Sequence, residues 1–121
     1  MAYDKRIGER VRVRGVSVEW RPDRKRKRRA APVQAEVVDV SVAGALVRAP
    51  IDKDLGPGCD VVLRYRTDAT VARVRSIAPS PDGTAAYGVE FLVVGDDLRA
   101  LVDELLEAHR PLARERWSTS W

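Results

Sequence analysis

Apolar and polar residues alternate along most of the chain, and the period lengthens only near the C-terminus. Val11 and Val13 alternate with Arg10, Arg12 and Arg14, after which Val16, Val18 and Trp20 continue the apolar series on even numbers. A strand places successive side chains on opposite faces, so this change of phase would turn the apolar face outward unless the backbone slips. The slip falls at Gly15, and residues 10–21 are therefore predicted as one strand with a β-bulge or kink there. Residues 33–40 form the second predicted strand, residues 39–44 a turn, and residues 45–48 a short third strand. A loop follows over residues 50–58, where Pro57 stands between Gly56 and Gly58. Val61, Leu63 and Tyr65 alternate with Val62, Arg64 and Arg66, which gives a fourth strand. Residues 69–77 give a fifth, with Arg73 and Arg75 on one face, and Pro79-Ser-Pro-Asp-Gly83 marks a turn. The last strand runs over residues 87–93.

Leu98, Leu101, Val102, Leu105 and Leu106 then recur at helical spacing. Asp96 and Asp97 suit a helix start, and Arg110 followed by Pro111 suits its end, so a helix is predicted over residues 96–110. These leucines are read as core positions. Six short strands followed by one amphipathic helix predict a mostly β fold: a small six-stranded antiparallel β-barrel, with one C-terminal α-helix capping an open end or face.

At 121 residues, with 45% hydrophobic and 33% charged residues, the chain has the size and composition of one soluble domain. The expected organisation is an arm over residues 1–9, the barrel over 10–95, the helix over 96–110 and a tail over 111–121. No apolar run reaches the roughly 18 residues that a membrane span requires. The first residues lack the apolar core of a signal peptide, and Cys59 is the single cysteine, so a reducing cytoplasm is the expected location. Cys59 is read as a small packed side chain. With His109 the single histidine, read as a surface residue near the helix end, multi-histidine metal sites are excluded. Ser41 has no identifiable base beside it, and there is no metal-ligand spacing or Gly-rich phosphate loop, so neither an enzyme nor a cofactor is expected.

The charge is unevenly spread. Residues 1–30 carry twelve Lys/Arg and four Asp/Glu, whereas the remainder is net acidic within an overall charge of +4. A basic N-terminal third points to an anionic partner: nucleic acid, an anionic membrane surface or a nucleotide. Six adjacent cations, Arg24-Lys25-Arg26-Lys27-Arg28-Arg29, repel one another and predict an exposed hairpin loop, which serves either such a partner or solubility alone.

Two short motifs carry the candidate chemistry. Asp39-x-Ser41-x-x-Gly44 lies in the turn after the second strand, and Arg6-x-x-x-Arg10 lies just before the first. Each is ordinary alone: Asp, Ser and Gly are turn formers, and the chain has eighteen arginines. In order, with Tyr87-Gly-Val-Glu-Phe91 as the final strand before a helix, they resemble the PilZ domain family, bacterial receptors for cyclic di-GMP. The resemblance spans about residues 5–108, and the 28 residues between Arg10 and Asp39 agree with the family's spacing. It implies the same six-stranded barrel with a C-terminal helix. It also implies that Arg6 and Arg10 clasp guanine and phosphate, that Asp39 and Ser41 read the other side of the ligand, and that Gly44 lets the turn close. Lys5 stands where a basic residue is associated in the family with two stacked ligand molecules, although the reading as a solvated arm residue is preferred.

The chemistry agrees with that implication. A guanidinium can fork onto guanine O6 and N7, pair with phosphate or stack on a base, and a carboxylate can accept from guanine N1–H and N2–H. The expected function is a cyclic di-GMP receptor that orders its arm on binding and signals to an unidentified protein partner. Two alternatives stay open: a PilZ-like scaffold acting through protein contacts without a ligand, and a nucleic-acid-binding barrel using residues 24–29. The basic loop contains no aromatic residue to stack on bases, which disfavours the second. Trp117 and Trp121 in the tail are read as packing on the domain, or otherwise as a partner or self-association site.

Overall fold

A computed structural model describes residues 10–23 and 32–109. The arm, the basic run over residues 24–29 and the tail, and with them Lys5, Arg6, Trp117 and Trp121, lie outside the described residues. Among the described residues, seven strands are formed: β1 (Val11–Arg12), β2 (Ser17–Pro22), β3 (Val33–Val40), β4 (Gly44–Pro50), β5 (Asp60–Tyr65), β6 (Asp68–Pro79) and β7 (Thr84–Val93). They are followed by α1 (Asp96–His109). Every pairing is antiparallel. Strands β3, β2, β5, β6, β7 and β4 pair in that order, and the β3–β4 pairing closes the ring into a six-stranded barrel. The two-residue β1 lies on the same edge of β3 as β2, further along it. Closure leaves these six strands without a free sheet edge.

The change of phase at Gly15 is real, and it is larger than a bulge. Instead of one strand over residues 10–21, residues 13–16 interrupt pairing between β1 and β2, with Gly15 in the left-handed region at φ 74°. Val13 and Val18 are both buried on either side of the break, so the core face switches from odd to even numbers, as the apolar pattern requires. Strand β3 switches at the same level. Ala35 and Val37 point inward, Val38 bulges against β4, and Val40 points inward again. Backbone hydrogen bonds from Val13 N to Val38 O and from Val37 N to Val16 O (both 3.0 Å) bracket the two slips.

Several boundaries differ from the expected ones. Strand β2 continues through Pro22, which is paired with Val61; Asp23 N donates toward β5 (to Asp60 O), so the Pro22 nitrogen faces the β3 side, beyond the last β2–β3 pair, Trp20 with Val33. Strand β4 runs from Gly44 to Pro50 rather than over residues 45–48, because β7 pairs along its whole length from Thr84. The small residues Ala49, Ala85 and Ala86 make these ends weak strand formers by composition, and the neighbouring strand holds them. Strand β6 likewise extends over Asp68–Pro79. Asp39 and Val40 belong to β3, so the turn shortens to Ser41, Val42 and Ala43.

The barrel is filled by Val18, Trp20, Val37, Val40, Val47, Val61, Leu63, Val74 and Tyr87, each no more than 3% exposed. The Trp20 and Tyr87 rings lie 5.1 Å apart, within range of a favourable tilted aromatic pair. Leu98, Val102 and Leu106 of α1 are buried in the same core, with Leu101 and Leu105 half-buried against it. Cys59 is also packed at its margin. The helix is fixed at its start: Asp68 accepts from Asp97 N (3.0 Å), and Asp97 accepts from the Thr67 hydroxyl (3.0 Å). The Asp68 carboxylate thus satisfies one of the N–H groups that the first helical turn cannot pair internally, and the Asp97 carboxylate ties that turn to Thr67. Among the described residues, no helix is long and apolar enough to cross a membrane.

Candidate ligand-binding site

The two slips opposite each other have a consequence at the surface. Without the bulge at Val38, the odd-numbered face of β3 that buries Ala35 and Val37 would carry Asp39 into the core. The bulge turns Asp39 outward and Val40 inward. There Asp39 Oδ1 accepts a hydrogen bond from Arg10 Nη1 at 2.6 Å, although the two residues are 29 positions apart. The Arg10 side chain is half exposed and that of Asp39 is 19% exposed, so the pair sits open to a ligand. Arg12 and Arg14 are exposed on the same alternating series. The Arg-Val-Arg-Val-Arg alternation could have marked them as further cations of this face, and the sequence reading left them out.

Register extends the site across the barrel exterior. Arg12 is paired with Asp39, Asp39 with Leu46, Leu46 with Gly88, and Gly88 with Ser76, so these residues form one cross-strand row. Leu46 stands between the buried Ala45 and Val47, and Gly88 between the buried Tyr87 and Val89, which fixes both on the outer face. Within the row, Leu46 and Gly88 form a short low shelf without polar side chains between Asp39 and Ser76. Beyond it, Arg75 pairs with Glu90 and Arg73 with Asp60. The Asp60 carboxylate holds the Arg73 guanidinium above the usual arginine range.

Ser41 and Gly44 are built into the turn itself. Ser41 is 2% exposed, and its hydroxyl is used within the turn. It accepts from Ala43 N and Gly44 N (both 3.2 Å) and donates to Gly44 O (3.3 Å), while Ser41 N donates to the same carbonyl at 2.8 Å. Ser41 is thus a positioning residue for the loop. The turn is also tied to β7 by Phe91 N donating to Ala43 O (2.8 Å). A Cβ on Gly44 would lie 2.1 Å from the Val89 carbonyl oxygen, so its absence permits the β4–β7 approach itself. Among the described residues, no group of three or more His, Cys, Asp or Glu is placed to hold a metal ion.

A closed six-stranded antiparallel barrel, a helix packed into its core and an outward Arg–Asp pair beside a serine turn define a small β-barrel domain. The PilZ domain family model matches residues 5–108, and the chain belongs to that family. PilZ domains are in general receptor domains for cyclic di-GMP rather than enzymes. No curated protein and no solved structure matches the chain.

Proposed function

We propose that this chain is a cyclic di-GMP receptor, with Arg6 and Arg10 as the clasp and Asp39 as the reader of a guanine edge. The observation that carries the reading is the Arg10–Asp39 pair at 2.6 Å on the outer face. A guanidinium has five N–H donors, and a single bond to Asp39 leaves others for phosphate or for O6 and N7 of guanine. The pair holds both partners in place before the ligand arrives, which lowers the ordering cost of binding. The Leu46–Gly88 shelf supplies a surface on which the second base can lie. Ser41 and Gly44 support this site by shaping the turn.

Ordering of residues 1–9 over the barrel would present a new surface to a protein partner in the bacterial cytoplasm, where the messenger acts. The shift is driven only by the ligand's differential affinity for the closed arm. Lys5 would matter if two stacked ligands bind, and the fitted stoichiometry reports this.

Calorimetric titration with cyclic di-GMP tests the proposal, with GMP, cyclic di-AMP and Arg10→Ala as controls. Selective, saturable binding lost in the variant is the expected result. Absence of binding by the wild-type chain, checked by a fluorescence assay, overturns it in favour of a scaffold acting by protein contacts.

A further inference from the structure

Val42, the residue after Ser41, is 50% exposed and lines a recess of about 60 Å³ between the turn, the end of β7 and α1. Phe91, Val94 and Val102 complete the apolar lining, and Arg99 and Asp103 of α1 form the rim. The end of β7 beside it is apolar and open: Leu92 is 41% exposed and Val93 62%. Three of the five exposed large hydrophobic residues among those described therefore gather at this corner of the barrel. An exposed apolar patch with a polar rim is the usual mark of a protein contact.

The charges on the rim select the partner. Arg99 and Asp103 are four residues apart, about 6 Å along the helix, and share one face. Both are exposed, and among the described residues neither side chain makes a hydrogen bond or an ion pair. A second α1 laid antiparallel, across a two-fold axis midway between them, sets Arg99 against Asp103 twice, once in each direction. A parallel second helix would instead set Arg99 against Arg99 and Asp103 against Asp103. Moving the two-fold axis onto either residue opposes like charges again. The rim is thus complementary to itself in one orientation and one register. Asp96, Glu104 and Glu107 are also exposed on α1, so two copies repel along the rest of the helix and the contact is confined to this corner.

We propose that this corner is a self-association surface, on which two copies of the chain pair through the same patch. The Arg99–Asp103 rims neutralise each other, and the exposed valines of each copy cover the recess of the other. The contact uses no residue assigned to the ligand, so it is independent of the cyclic di-GMP reading. It adjoins that site all the same, since Val42 belongs to the turn that the Ser41 hydroxyl holds.

Sedimentation equilibrium of the full chain without ligand, at protein concentrations up to the millimolar range, tests the proposal. A monomer–dimer equilibrium is expected. Arg99→Asp and Asp103→Arg, both at exposed positions, are each expected to raise the dimer dissociation constant about tenfold, since each turns two attractions into two repulsions. An equimolar mixture of the two variants is expected to regain the dimer, because every rim contact between unlike variants is again attractive. Val42→Asp, which places a charge in the patch, is expected to abolish the dimer at concentrations where the wild-type chain forms it. A strictly monomeric wild-type chain overturns the proposal. So does a dimer that neither charge reversal weakens, which would assign self-association to another surface such as Trp117 or Trp121. Failure of the mixture to regain the dimer overturns it too, because the rims would then not meet antiparallel. Calorimetric binding of cyclic di-GMP is measured separately, so the receptor reading stands or falls on its own.

Discussion

Arg10 and Asp39 meet because two neighbouring strands lose phase at the same level. The slip at Gly15 keeps Val11 and Val18 on one core face, and the bulge at Val38 turns Asp39 to the surface beside Arg10. Their 2.6 Å hydrogen bond is thus a product of the fold's irregularity. Bulges commonly re-aim a side chain in this way next to functional sites.

Because the pair is exposed, its loss should affect binding far more than folding. Arg10→Ala and Asp39→Ala are each expected to change unfolding free energy by less than about 1 kcal/mol. Both are expected to weaken cyclic di-GMP binding by at least tenfold, and Asp39→Asn should resemble Asp39→Ala if the charge is what matters. Urea unfolding followed by calorimetric titration on the same preparations separates the two effects. Equal loss of stability and binding would identify the pair as structural instead.

Gly44 should show the opposite profile. Its missing Cβ would fall 2.1 Å from a backbone oxygen of β7, which cannot move aside as a flexible side chain would. Gly44→Ala is expected to destabilise the chain by ~2–4 kcal/mol through overpacking at the β4–β7 seam. Ser41→Ala removes a buried hydroxyl shared among three turn contacts and should cost about 1–2 kcal/mol. Chemical denaturation curves check both. Binding by the Ser41 variant is expected to weaken in proportion to disorder of the turn, visible as faster amide exchange at Ala43 and Gly44.

These two residues also show where sequence reading stopped. The order Asp39-x-Ser41-x-x-Gly44 was legible, and so was the position of the motif after the second strand. Its internal wiring was not: the Ser41 contacts to Ala43 and Gly44 are local but belong to a turn geometry that the residue types alone leave open, and the Val89 contact of Gly44 depends on a return of chain more than forty residues later. The apolar alternation and the leucine spacing gave the barrel and helix, since each core face must follow a fixed period. The Gly15 slip was visible in the Val11-Val13-Val16-Val18 series. Its counterpart was visible in Val37, Val38 and Val40, yet three valines in four positions can be satisfied by several registers. Strand ends at Pro50 and Thr84 escaped because small residues and prolines carry little strand preference, and pairing between β4 and β7 decides them.

The glycine at the first slip gives a further prediction. At φ 74°, Gly15 occupies a conformation that costs an L-residue about 1 kcal/mol or more. Gly15→Ala is expected to lower stability by about that amount, as measured by thermal unfolding. Space is not limiting, since a Cβ there would have no neighbour within 4 Å. Gly15→Asn should therefore recover part of the loss, because Asn tolerates the left-handed region better than Ala.

The shelf on the barrel exterior can be tested without disturbing the arginine clasp. Leu46 lies between Asp39 and Gly88 in the cross-strand row and faces outward. Leu46→Glu places a carboxylate beside Asp39, where it would repel the ligand's phosphates and remove an apolar surface from beneath a base. At this half-buried, outward-facing strand position the substitution is expected to alter stability by about 1 kcal/mol. Binding should fall by tenfold or more at low salt and recover partly at higher ionic strength, because screening reduces repulsion between exposed charges. Leu46→Met keeps the apolar surface and should bind as the wild-type chain does. Titrations of both variants at two salt concentrations check the prediction, and unchanged affinity in Leu46→Glu would move the ligand off this row and confine it to the arginine side of Asp39.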